Sequence, residues 1–147
     1  MRQSTTLSIF PDVNVWLALN YPIHQHHPSA RTWFNVLDPN AKFYFCRHTQ
    51  LGLFRLLTNA AVMAADIKTQ RQCWEICDRW VIPGKAFLIT EPRSLDSVLR
   101  AMTSGDVSST KVWADAYLAA FAQAANLTLV TFDRALASKA KGSILLN

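Results

Sequence analysis

The stretch TLVTFDRALA, residues 128–137, decides the fold. Thr128, Val130 and Phe132 alternate with Leu129 and Thr131 as in a strand, and Arg134 to Lys139 follows at once as a helix-forming run. Asp133 stands between the two. An acid is a good helix N-cap, and taken alone Asp133 needs no other explanation. A strand that passes straight into a helix is also part of a βαβ unit, so its partners are to be sought elsewhere in the chain.

Outward from there the same alternation recurs. TLSIF (6–10) is a first strand ending at Pro11-Asp12, followed by a short helix over Val13 to Leu19. Pro28 to Leu37 is a helix stopped by Asp38-Pro39, and KFYFC (42–46) is a second strand. TQLGLFRLLTN (49–59) is a helix with Leu53, Phe54, Leu56 and Leu57 as its apolar stripe, and Thr69 to Trp80 is another, closed by Pro83-Gly84. AFLIT (86–90) is a third strand, Ser94 to Met102 and Val112 to Ala125 are helices, and SILL (143–146) ends the series. Strands alternating with helices predict an α/β fold of three layers, with a parallel sheet covered on both faces.

The bulk numbers agree with one domain over residues 1–147: the length is that of a single domain, and 50% hydrophobic residues suffice for a sizeable core. No apolar run approaches the roughly 18 residues of a membrane span, and the N-terminus lacks a signal-peptide pattern, so a soluble cytoplasmic protein with no membrane partner is expected. Three cysteines, Cys46, Cys73 and Cys77, give neither a disulfide framework nor a zinc knuckle. Lys and Arg outnumber Asp and Glu by 15 to 10, a net charge of +5 that biases the surface toward polyanions or an acidic partner.

Ligands of open parallel sheets bind outside the carboxyl ends of the strands, which gives the positions of the acids meaning. Asp12 and Asp133 both fall at such ends. Asp115 lies in the first turns of VWADAYLAAFAQAA (112–125), a lone acid on an Ala-rich surface. A helix N-terminus favours an acid in its own right, which accounts for Asp115 taken singly. Three acids at the mouth of one sheet are a different matter, because crowded carboxylates raise one another's pKa and such clusters usually hold a cation.

FPDVNVWLAL (10–19), WADAYLAAFA (113–122) and LVTFDRALA (129–137), in that order and spacing, resemble the PIN-domain nucleases, in particular the VapC-type toxins of bacterial toxin–antitoxin pairs. The resemblance implies a PIN-like fold with a five-stranded parallel sheet between helices, and an acidic pocket that binds Mg²⁺ or Mn²⁺ and hydrolyses RNA. It also implies a homodimer, inhibited by a cognate antitoxin whose C-terminal segment covers the pocket. On this resemblance Asp12, Asp115 and Asp133 match the catalytic, metal-binding acids, and Asn14 and Thr131 match polar neighbours of that site.

One departure bears on activity. The family pattern Glu-x-x-Arg, two apolar residues and Thr is met here by GLFRLLT (52–58), with Gly52 in the glutamate's place. The expectation is a pocket one carboxylate short, with room left beside Asp12. Gln50 is the nearest polar substitute, but two residues are about 200° around a helix, so it faces away unless the helix starts after it. An alternative function follows: a catalytically impaired PIN-like protein that binds RNA or a partner.

Other candidates read more plainly. HQHH (24–27), bracketed by Pro22 and Pro28, is a loop in which His24, His26 and His27 form a polar rim near the pocket or dimer face rather than a transition-metal site. Arg55 reads equally as a phosphate contact or as half of an ion pair on its helix. The five tryptophans read mostly as core or dimer contacts, with Trp113, two residues before Asp115, the first to test for stacking on unpaired bases. A phosphotransfer receiver domain has a similar sheet but needs an Asp after its third strand, where AFLITEP offers Glu91.

Overall fold

The central strand β1, Ser8–Pro11, is buried from Ile9 onward because it has strands on both sides and helices on both faces. The computed structural model describes residues 7–147, and the strand expected from Thr6 therefore begins outside the described residues. β1 is joined by β2 (Lys42–Phe45), β3 (Ala86–Leu88), β4 (Thr128–Thr131) and β5 (Ile144–Leu145) in the order β3-β2-β1-β4-β5, every pair parallel. Alternation along each strand then sorts side chains onto two faces.

Ile9, Phe43, Phe45 and Val130 pack against α1 (Val13–Asn20), α2 (His27–Asn35), α3 (Arg47–Leu57) and α5 (Gln70–Val81). Trp16 of α1 anchors this face, stacked on Phe45 with ring centroids 3.9 Å apart and edge-on to Trp80. Phe10 and Leu129 point the other way, into α6 (Leu95–Met102), α7 (Val112–Ala125) and α8 (Arg134–Lys139), where Phe10 stacks on Phe121. This is the three-layer α/β fold that the alternation predicts. No helix among the described residues is long and apolar enough to cross a membrane.

Three local differences have physical causes. α3 starts at Arg47 rather than Thr49, because the Thr49 hydroxyl accepts from the Cys46 N–H (3.1 Å) and donates to the Cys46 carbonyl (3.0 Å), a cap built on a cysteine. β3 ends at Leu88 rather than Thr90, since its one neighbour, β2, runs out at Phe45, the partner of Leu88. Residues 60–66, left without an element by the periodicity, form the short helix α4 (Ala60–Met63) and a 3-10 turn (Ala64–Asp66), started by the Asn59 side chain accepting from the Ala61 N–H.

The strand order sets the place of the site. From β1 the chain steps outward to β2 and β3, then returns to lay β4 on the other side of β1. The carboxyl ends of β1 and β4 are thus neighbours from which connections diverge, and that divergence leaves a crevice. α7 is set against this point by Asn126, whose left-handed backbone (φ 57°, ψ 48°) ends the helix and turns the chain into β4 almost immediately.

Candidate acidic pocket at the crossover

Asp12 follows β1 and Asp133 follows the end of β4 by two residues, so the crossover brings both carboxylates to one crevice. Asp12 caps α1, its Oδ1 accepting from the Val13 N–H at 2.7 Å. Its Oδ2 accepts from the Thr131 hydroxyl at 3.0 Å, and the Thr131 oxygen in turn accepts from the Asp133 N–H at 3.0 Å. Thr131 is fully buried, and a buried hydroxyl with both donor and acceptor roles used holds its partners in fixed geometry. Asp133 caps α8 through Oδ1, which accepts from the Ala135 and Leu136 N–H groups at 2.8 and 3.3 Å. Its other oxygen makes no hydrogen bond among the described residues.

Burial pushes the Asp12 carboxyl above its usual range. The Val13 and Thr131 hydrogen bonds pull it back in part, while the charges of Asp115 and Asp133 push it further up. Asp115, half-buried in the first turn of α7, therefore acts on the same carboxylate as Asp133. Two residues on, the Tyr117 hydroxyl donates to Glu91 (3.1 Å) and ties α7 to the segment after β3.

Asp12, Asn14 and Asp133 line a cavity of about 270 Å³ together with His24, His26 and Phe132. A larger cavity of about 380 Å³, at the far end of α7, is walled by residues such as Ala119, Leu129 and Lys141 and includes no carboxylate. Chemistry rather than volume marks the first as the site. Among the described residues no three His, Cys, Asp and Glu side chains gather tightly enough to cage an ion among themselves. Mg²⁺ does not require that, since it keeps several waters and is held by one or two carboxylates. Carboxylate oxygens with a hydroxyl and an amide beside them are the hard donor set such an ion takes.

The histidine loop lies where a polar rim is expected. The His26 ring stacks on Phe132, with centroids 4.4 Å apart and planes 19° from parallel, and its backbone N–H donates to His24 Nδ1 at 3.0 Å. His27 is turned inward, its Nδ1–H donating to the Ala18 carbonyl at 2.6 Å. Burial lowers the His24 pKa, and the neighbouring imidazoles lower it further.

Position 52 corrects the expectation of vacant space. A Cβ at Gly52 would lie 2.8 Å from Val13 Cγ2, inside the side chain that follows Asp12. Room beside Asp12 at Gly52 is thus not left over; Val13 occupies it, and the glycine permits the approach of α1 to α3. Gln50 is no substitute either, being buried with its amide directed at Cys77 Sγ (3.6 Å) of α5. Arg55 is exposed beside a different, apolar cavity with Leu51, Phe54 and Trp74. Sequence reasoning overlooked Val13 and Phe132; a side chain next to each strand-end acid was the available signal, but its direction depends on the helix packed against it.

Comparison with known proteins supplies the family. The PIN domain model matches residues 9–142. Ribonuclease VapC41 of Mycobacterium tuberculosis is 39% identical over 133 residues, covering 84% of this chain and 88% of that protein. Among solved structures, VapBC2 of Rickettsia felis bound to a promoter DNA fragment superposes with a TM-score of 0.63 at 16% identity, over 95% of this chain and 97% of that one. VapC20 of Mycobacterium tuberculosis, a sarcin-ricin loop cleaving toxin, gives 0.62 at 14% identity, over 88% and 93%. These two likenesses speak for the fold, whereas the family match and the identity to VapC41 reach further: the chain belongs to the PIN-domain family and is of VapC type.

Proposed function

We propose that this protein is an endoribonuclease toxin of VapC type that hydrolyses RNA phosphodiester bonds with the help of Mg²⁺ or Mn²⁺ and is restrained by a cognate antitoxin. The observation that carries the reading is the chain from Asp12 through Thr131 to Asp133 at the strand crossover, in a protein 39% identical to a named ribonuclease.

Asp12, Asp115 and Asp133 are the residues assigned to hold the ion, with Asn14 beside them. A bound divalent ion would supply a more acidic water and offset charge building on the phosphate. Thr131 is a positioning residue: its hydroxyl proton is committed to Asp12 Oδ2, which keeps that carboxylate turned into the crevice. Asp133 offers the cavity its Oδ2, because the α8 cap uses Oδ1. The raised pKa of Asp12 means that cation and proton compete for it, and the crowding that disfavours three bare carboxylates favours an ion among them.

A homodimer and an antitoxin segment covering the pocket are part of the same proposal. Leu51 and Trp74, each about half exposed on α3 and α5, supply apolar surface of the kind such partners bury.

The alternative, a chain that binds RNA without cutting it, has the Val13 side chain in the place of the usual acid in its favour. Incubation of the purified chain with unpaired RNA decides between them. Cleavage in Mn²⁺ that disappears with a chelator and with Asp115→Asn supports the enzyme; RNA binding with no cleavage under any of these conditions supports the alternative.

A further inference from the structure

We propose that the His26 ring, seated on Phe132 beside Asp12 and Asp133, is a platform for one unpaired nucleobase next to the phosphate that a divalent ion at the acids would hold. The inference deepens the ribonuclease reading and rests on it. The platform is already assembled: His26 and Phe132 lie 4.4 Å apart and nearly parallel, His24 follows at 5.7 Å, and all three share the cavity with the two carboxylates.

Anchoring of the loop does not account for this ring. His27 does that work through the Ala18 carbonyl, and the backbone of His26 does it through His24 Nδ1. The His26 ring nitrogens make no hydrogen bond among the described residues, and the ring stays half-exposed at the cavity wall. Two carboxylates alone would repel a polyanion, whereas a flat ring attracts any base by its π-face regardless of charge or sequence. A base inside a duplex cannot offer that face, so the substrate class is unpaired RNA. His24 adds a directional contact: with Nδ1 accepting, its proton sits on Nε2, a donor for a phosphate or base edge.

The test uses the full chain made inert by Asp115→Asn, with Mg²⁺ present, and single-stranded RNA oligonucleotides in which 2-aminopurine or an abasic residue is walked along the strand. One position should show quenched 2-aminopurine fluorescence on binding. His26→Ala in that background should weaken the intact oligonucleotide roughly 5- to 100-fold and the oligonucleotide abasic at that position about twofold or less. His26→Phe, which keeps a ring, should retain both the affinity and the quenching, and guards against misreading a folding defect. Equal losses on intact and abasic RNA, or no quenched position, would overturn the platform while RNA binding itself leaves the ribonuclease reading standing. Failure of the inert chain to bind any oligonucleotide would overturn both.

Discussion

Two borders beside Asp12 are built on opposite plans. Where β1 meets β4, polar groups are spent on one another: Val13 N–H, Asp12, the Thr131 hydroxyl and the Asp133 N–H form an unbroken series of hydrogen bonds. Where α1 meets α3, the junction is a van der Waals contact, Val13 pressed onto Gly52. The first border fixes carboxylates in place and the second closes the helices on each other. A helix position without a side chain therefore need not leave a hole; here the volume is taken by a neighbour.

The largest effect should come from the polar border. Asp12→Asn should lower kcat for RNA cleavage by about 100-fold or more, with thermal stability of the metal-free chain at neutral pH unchanged or raised, because a crowded buried charge is gone. An active Asn variant would remove Asp12 from the chemistry. Thr131→Val tests orientation without touching a carboxylate. Loss of this outer partner should cost roughly 10- to 100-fold in metal affinity or activity, and an unchanged Mn²⁺ titration would show that Asp12 holds its direction unaided.

The apolar border predicts a stability effect. Gly52→Ala would ordinarily gain about 1 kcal/mol in a helix, but overpacking against Val13 costs about 1–3 kcal/mol, so a net loss of about 1 kcal/mol is expected in denaturant unfolding. Combining it with Val13→Ala should remove most of the penalty, and additive losses would mean that the two residues do not press on each other. Placing an acid at position 52 accordingly needs Gly52→Glu together with a smaller residue at 13.

The smallest effect is one of pH. Asp12 has its folded pKa above the unfolded value, so protonation favours the native state. Its stabilising contribution is complete below the unfolded value near pH 4 and is lost as pH rises through the folded one. The metal-free protein should thus gain less from acidification once Asp12 is Asn. Identical pH profiles of melting temperature for the two chains would contradict the burial of that charge.

These borders also differ in how far the sequence discloses them. Strand-end acids stand in the linear order, since alternation marks TLVTF and TLSIF as strands and the next residues follow their ends. That is why Asp12 and Asp133 were legible, with the α/β class and the five strands. The Val13–Gly52 contact joins residues 39 positions apart by helix packing, and no local pattern carries it. Cys46 as a helix cap hid the true start of α3, and with it the burial of Gln50. Trp113 is exposed as a stacking residue should be, yet two residues before Asp115 puts it about 200° around α7, away from the acid. The rings that do stand in the pocket wall are those of His24, His26 and Phe132; the histidine loop was legible as a polar rim, but the stacking of His26 on Phe132 depends on a loop with no regular period.

Asp133 answers the question that its position at the end of a strand raises, because it caps α8 through Oδ1 and also lines the cavity, with Oδ2 free of hydrogen bonds among the described residues. A six-residue helix such as α8 has little standing of its own, and its first amides hang on the same carboxylate that faces the cavity. Anything that draws on Oδ2 must be felt at Oδ1. The Ala135 and Leu136 amide resonances thus form a built-in gauge of pocket occupancy, readable in a chain that cuts nothing, without label or substrate.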